Sequence, residues 1–330
     1  MSMEITKKTL LIGDIGGTNA RFALANPEYT SFNKVLNLKC ADFLSADDAI
    51  QYYLDKFSMP KPDIICLAAA GPMISNRIQV TNNHWNLNIE SLKKDFNTEK
   101  VKLLNDFEAA AYSIPQLKEN DFHPLGLIKS TNLNCGQFNV AIIGAGTGFG
   151  AAGLVCLDNT LIPIVGEGGH IGFAPKSQIQ TEILNVLKNN YERVIVERLV
   201  SGPGIENIYS SLALIYDKKK KELSAKEIFQ KAQSSSDQHA IESVNIFFEI
   251  FGQLAGDIAL CMGARNGVYL AGGIAKRYPE LLMKSEFRNA FESKGRQRSY
   301  MESIPTILIT HDNPGLLGAA YCASKLSSDC

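Results

Sequence analysis

At 330 residues and 45% apolar content, the chain is long enough for two domains with substantial cores, which excludes disorder as its main state. Lysine and arginine number 33 against 34 acidic residues, a formal charge of −1, so no global field recruits nucleic acid or an anionic membrane. The 7 cysteines, Cys40, Cys66, Cys135, Cys156, Cys261, Cys322 and Cys330, are odd in number and lack CxxC spacing, which argues against a disulfide or zinc framework and for reduced thiols in the cytoplasm.

The first eight residues have no apolar run of the kind a signal peptide needs, and structure is expected from Thr9. Leu10 to Ile12 predicts a strand, GDIGGTNAR a glycine-rich turn, and Phe22 to Leu24 a second strand. A helix is expected over roughly 46–57, capped by Ser45 and closed by Pro60. Ile64 to Ala70 reads as a buried strand stopped by Gly71-Pro72, and Val101 to Leu104 as another that ends at Asn105-Asp106. Residues 107–113 favour helix until Pro115. A second α/β portion opens with the strand Val140 to Ile143, the turn GAGTGFG and the strand Ala151 to Val155. Helices are expected over about 179–188, 225–233 and 240–261, strands over 268–271 and 306–310, and a small-residue helix over about 316–326. The apolar stretch from Val244 to Met262 carries Asn245, Glu249, Gln253 and Asp257 at every fourth position, a polar stripe that predicts a packed helix rather than a membrane span. The run Lys218 to Lys221 reads as a solvated loop or helix end.

Both glycine turns lie between β-prone runs and neither opens into a helix, so they differ from a P-loop and from a dinucleotide-binding loop. Glycine allows positive φ and close backbone approach, and such turns can aim successive N–H groups at an anion. Two of them together predict a divided phosphate clamp and a nucleotide-dependent phosphotransferase; a tight hairpin is the plain alternative for either alone. Each half begins with strand, Gly/Thr turn and strand, as expected of two similar α/β lobes that enclose a cleft.

GDIGGTNAR, LLNDFEAAA, GAGTGFG, GEGGHIGFAP, VERLVSGPG, VYLAGGI and HDNPGLLGAA, in order from about Leu10 to Ala320, closely resemble the bacterial glucokinases of the hexokinase, actin and heat-shock-chaperone ATPase superfamily. The resemblance implies a two-lobed actin-like, ribonuclease H-like α/β fold, with a small domain over 1–115 plus 312–330 and a large one over 116–311. It implies ATP and Mg²⁺ as cofactors, glucose as substrate, phosphorylated at its 6-hydroxyl in the first step of glycolysis, and a cytoplasmic homodimer without nucleic-acid or membrane partners. Phosphate binding falls on Gly13, Asp14, Ile15, Gly16, Gly17 and Thr18 and on Gly146, Thr147 and Gly148; Ala271, Gly272 and Gly273 lie beside the adenosine. Asp14 resembles the carboxylate that positions magnesium through water. On the sugar side stand Asn105, Asp106, Glu167, His170 and Glu197, with Asp106 as general base.

The residues themselves agree on Asp106, which follows an apolar strand at the carboxyl end where open α/β sheets place ligands, although a helix cap would occupy the same place. Glycines between Glu167 and His170 predict a loop that projects both side chains; the rivals are a metal site and a surface turn. The cysteine-rich zinc motif that related repressor-type sugar kinases carry soon after this histidine is missing, since the next cysteine is Cys261. Glu197 has a rival role in an ion pair with Arg193 or Arg198, and Trp85 and His84 either shape the cleft or, for Trp85 above all, pack in the core. Other readings are a kinase for another hexose, a sugar-responsive regulator, for whose helix-turn-helix the eight leading residues leave no room, and an actin-like assembly ATPase.

Overall fold

β1 (Leu10–Ile15) and β2 (Asn19–Ala25) form an antiparallel hairpin whose register pairs Leu10 with Ala25 and Ile15 with Ala20. This is a computed structural model, and it describes residues 8–128, 133, 136–219 and 221–328; Cys135, Lys220 and Cys330 lie outside them. The described chain divides into two compact units, one running up to Asn120 and resuming at His311, the other spanning Asp121–Thr310. It is mixed α/β, with three sheets and 12 α-helices among the described residues.

In the first unit the hairpin is extended by β3 (Phe32–Lys39), then come α1 (Ala46–Lys56) and β4 (Ile64–Ala69). β5 (Met73–Ile74), β6 (Arg77–Gln79) and β7 (Asn86–Asn88) make a small separate sheet, followed by α2 (Ile89–Phe96), β8 (Lys100–Asn105) and α3 (Asp106–Ser113). The main sheet has the order β3-β2-β1-β4-β8, with β4 parallel to both β1 and β8. β4 is buried at all six positions because both its faces are covered. On one face Leu11, Phe22, Ile65 and Leu67 pack with Ile50, Tyr53 and Trp85; on the other the C-terminal helix, Pro314–Ser328, lies against β1, β4 and α3. Ser45 caps α1 by accepting the Asp48 N–H, and Trp85 is a core residue, 1% exposed, whose indole donates to the Phe43 carbonyl at 3.3 Å.

The second unit holds β9 (Phe122–Leu125), β10 (Phe138–Ala145), β11 (Phe149–Leu157), β12 (Thr160–Gly166) and the helices α4 (Gln178–Leu187), α5 (Gly202–Asp217), α6 (Ala225–Gln233) and α7 (Gln238–Met262). β13 (Val268–Ala271) follows, then the short helices α8 (Gly273–Arg277), α9 (Pro279–Lys284), α10 (Phe287–Glu292) and α11 (Arg298–Glu302), and β14 (Thr306–Ile309). Its sheet runs β12-β11-β10-β13-β14-β9. Leaving β9 aside, both main sheets follow one plan, an antiparallel meander of three strands continued by two parallel ones, so the strand-turn-strand echo in the sequence corresponds to repeated topology.

α7 is long and apolar enough to cross a membrane by composition, yet 72% of its most apolar window is buried. Phe247, Phe248 and Phe251 form an aromatic cluster with Phe229 and Phe287. Asn245 and Asp257 of the polar stripe are exposed, Glu249 is half-buried, and Gln253 is covered by Lys294, whose ammonium reaches the Gln253 carbonyl at 2.7 Å and the Asp257 carboxylate at 2.6 Å.

Candidate active site

None of Gly13, Gly16, Gly17, Gly146 or Gly148 sits in the left-handed region; at Gly13, Gly17 and Gly148 it is the space for a Cβ that is missing. A Cβ on Gly13 would stand 2.7 Å from a methyl of Leu67, and one on Gly17 would stand 3.0 Å from the Thr81 carbonyl oxygen. Gly16 N–H donates to the Asn19 carbonyl at 2.9 Å, and its own carbonyl accepts from the Asn83 amide at 3.2 Å. Cys40 N–H donates to the Thr18 carbonyl at 3.0 Å. Asn83 and Cys40 thus hold the first turn from outside it, beside an open recess of about 510 Å³ lined by Gly17, Thr18, Cys40, Asn82 and His84.

Asp14 leads into this turn and is partly buried, its carboxylate 3.4 Å from the Arg21 guanidinium. Burial pushes its carboxyl above the usual range, and Arg21 offsets part of that rise. Gly315, in the C-terminal helix, abuts the same carboxylate: a Cβ there would come within 2.9 Å of Asp14 Cγ. That contact gives the HDNPGLLGAA motif a physical role that the residues alone did not reveal.

α3 begins directly where β8 ends, and the cap is Asn105, not Asp106. Asn105 Oδ1 accepts from the Phe107 and Glu108 N–H groups at 2.9 and 3.3 Å, while Glu108 Oε2 accepts the Asn105 N–H at 3.3 Å, a reciprocal capping box. Its Nδ2 donates to the Gly71 carbonyl at 3.0 Å, which leaves one amide hydrogen for another acceptor. Asp106 is therefore the first residue inside the helix, where the macrodipole favours a carboxylate, and its Oδ1 accepts from Phe107 N–H at 3.0 Å. The Asn-x-x-Glu spacing was a legible signal for Glu108, whose carboxyl burial raises above the ordinary range. Asn105→Ala is expected to destabilise the protein by about 1–2 kcal/mol through loss of the cap, measured by chemical denaturation.

In the second unit, β12 delivers Glu167 to a single 3-10 turn, Gly168–His170, and the Glu167 and His170 side chains are exposed while Gly169 is buried. The register of β10 with β13 pairs Gly144 with Ala271, which sets Ala271–Gly273 next to the second turn. Gly272 has φ +89° and a Cβ on it would lie 2.5 Å from the Ala145 carbonyl oxygen, so both conformation and space require glycine. At Gly146 and Gly273 an added Cβ would meet open space, and Thr147 is exposed.

Glu197 does not form the ion pair considered for it. Its Oε2 accepts the Phe149 N–H at 2.8 Å, and the Arg198 guanidinium lies over the Tyr191 ring, 4.5 Å from its centroid. Among the described residues no group of three His, Cys, Asp or Glu side chains is placed to hold a metal ion. The five described cysteines are free thiols, four of them buried.

The family model described as Glucokinase matches residues 11–326. A glucokinase from Caulobacter sp. (strain K31) is 41% identical over 315 residues, 94% of this chain and 93% of that protein. Among solved structures, a glucokinase from an Antarctic psychrotroph aligns with a TM-score of 0.86 at 33% identity, over 96% of this chain and 99% of that one. The glucokinase of Balamuthia mandrillaris in complex with glucose aligns with a TM-score of 0.78 at 25% identity, over 96% and 93% of the two chains.

Proposed function

Because the chain belongs to the glucokinase family, we propose that Asp106 is the general base for transfer of the ATP γ-phosphoryl to the 6-hydroxyl of glucose. The match over nearly the whole chain carries the activity, ATP-dependent phosphorylation of glucose to glucose 6-phosphate. The placement of Asp106 at the carboxyl end of β8, oriented by the capping box beside it, supports its assignment. In this reading Asn105, Glu167, His170 and Glu197 bind the sugar hydroxyls; the turns Gly13–Thr18 and Gly146–Gly148 bind the phosphates, and Ala271–Gly273 the adenosine. Asp106 takes the hydroxyl proton, the sugar oxygen bonds to the γ-phosphorus, the bond to the β–γ bridging oxygen breaks, and ADP leaves.

The fold in this reading is the actin-like, ribonuclease H-like one, with a small domain over 1–115 and 312–330 and a large one over 116–311, although the compact units put 116–120 and His311 with the first; closure on glucose would exclude water. The repeated strand plan supports it. The reading extends to a cytoplasmic homodimer at the first step of glycolysis.

Asp14 fits magnesium. A single carboxylate beside the first turn suits an ion that keeps most of its waters and is held through substrate phosphates, not a protein cage. Bound there, magnesium would neutralise charge on the phosphates. A carboxyl whose value is raised on folding keeps a proton that the unfolded chain has already lost, so stability falls as pH rises from 3.8 through the raised value. Asp14→Asn removes this cost. We expect the ligand-free variant to melt no lower than the wild type and to lose part of that pH dependence, while its apparent magnesium affinity in turnover drops about 10- to 100-fold. Thermal melts across pH and a magnesium titration of activity read both effects.

The function is tested by a coupled assay of ADP release against a panel of hexoses and N-acetylhexosamines. ADP release that depends on glucose is the expected result. Release indifferent to every sugar overturns the reading.

A further inference from the structure

The second turn is gripped at both ends by one stretch of chain. At its start, the Gly146 carbonyl accepts the Gly202 N–H at 2.8 Å, from the first residue of α5. At its end, the Phe149 N–H donates to Glu197 Oε2 at 2.8 Å. The two holding points are five residues apart, and Ser201 ties them together: its hydroxyl donates to the Glu197 carbonyl at 2.7 Å and caps α5 by accepting the Gly204 N–H at 3.0 Å. Ser201 is buried, at 1% exposed, so this tie is shielded from water.

The contacts around Glu197 admit no slack. A Cβ on Gly148 would stand 2.6 Å from Glu197 Oε2, and one on Gly169 would stand 3.3 Å from the same oxygen and 2.6 Å from the Phe149 carbonyl oxygen. The carboxylate therefore sits between the phosphate turn and the loop that carries Glu167 and His170, with a glycine on either side. An anion-binding turn works through backbone N–H groups held in a fixed direction, and a turn that frays must be ordered again at each binding event.

We propose that Glu197 is a positioning residue for the nucleotide, the carboxylate arm of a brace, 197–202, that sets the second turn for phosphate before any sugar is bound. The idea rests on the reading of Gly146–Gly148 as a phosphate turn and adds a role to Glu197 besides its proposed bond to the sugar. A residue that serves only as a sugar ligand has no effect on nucleotide affinity when sugar is absent; a brace does.

The test is glucose-free binding of Mg²⁺–AMPPNP, measured by calorimetry, with glucose KM and kcat taken alongside. Glu197→Ala loses the acceptor, and Glu197→Asp keeps the charge while drawing the oxygen back by one methylene. Both are expected to weaken nucleotide binding about ten-fold or more. Glu197→Gln keeps an acceptor oxygen at the original reach, so it restores the affinity to within about three-fold while its glucose KM remains raised. Should the alanine variant fail to fold, the Asp and Gln pair carries the comparison. Wild-type affinity in Glu197→Asp overturns the brace, and so does Glu197→Gln binding as weakly as Glu197→Asp. Wild-type protein that binds no nucleotide, by contrast, would overturn the phosphate reading of the turn itself.

Discussion

Asp106→Asn is expected to lower kcat by at least about 100-fold while glucose affinity changes much less, because an amide can still hydrogen-bond a hydroxyl but cannot take its proton. The substitution is nearly isosteric, and the capping box lies on Asn105 and Glu108, so α3 keeps its N-terminus and the variant should melt close to wild type. Turnover by coupled assay, sugar affinity by fluorescence titration and a thermal melt separate chemistry from folding. Near-normal kcat would remove Asp106 from its assigned role. Had Asp106 been the cap, a fall in activity could have come from loss of the helix; with Asn105 in that place, the experiment isolates the carboxylate.

The second large effect is on stability. Gly318→Ala places a Cβ against the Ala109 carbonyl oxygen of α3, and the obstacle is backbone, so no side-chain rotation relieves it. The C-terminal helix and α3 must separate. A loss of about 3 kcal/mol or more is expected, with a melting temperature lower by roughly 6–12 °C. Since Asp106 stands at the start of α3, turnover should fall as well, well below the melting point. Gly273→Ala is the matched control, because an added Cβ meets nothing within 4 Å there. A Gly318→Ala protein as stable as that control would mean that the two helices pack less closely than their backbones indicate.

These two variants mark where the chain's own pattern was sufficient and where it was not. Buried strands such as Ile64–Ala69 and the capped helix Ala46–Lys56 were plain from apolar runs and from Ser45, since period and cap chemistry are local properties. α5 went unforeseen because Gly202, Pro203 and Gly204 read as loop formers, although proline is well suited to a helix's first turn, where its missing N–H has no partner to lose. β3 has mostly exposed side chains and is paired only with β2, and β5, β6 and β7 have two or three residues each, too few for any period to register.

Apolar periods and two glycine turns indicated the α/β class, and the resemblance carried by seven ordered motifs gave the family and its activity, because each motif is a contiguous stretch that can be read without knowing what it packs against. The tertiary structure alone decided how single polar atoms are used. The Asn105 amide donates to the Gly71 carbonyl, Glu197 holds the Phe149 N–H in place of an arginine, and Gly315 and Gly318 are glycines because Asp14 and Ala109 lie against them. Such partners are tens to hundreds of residues apart in the chain, and a contact made by folding leaves no trace in local spacing.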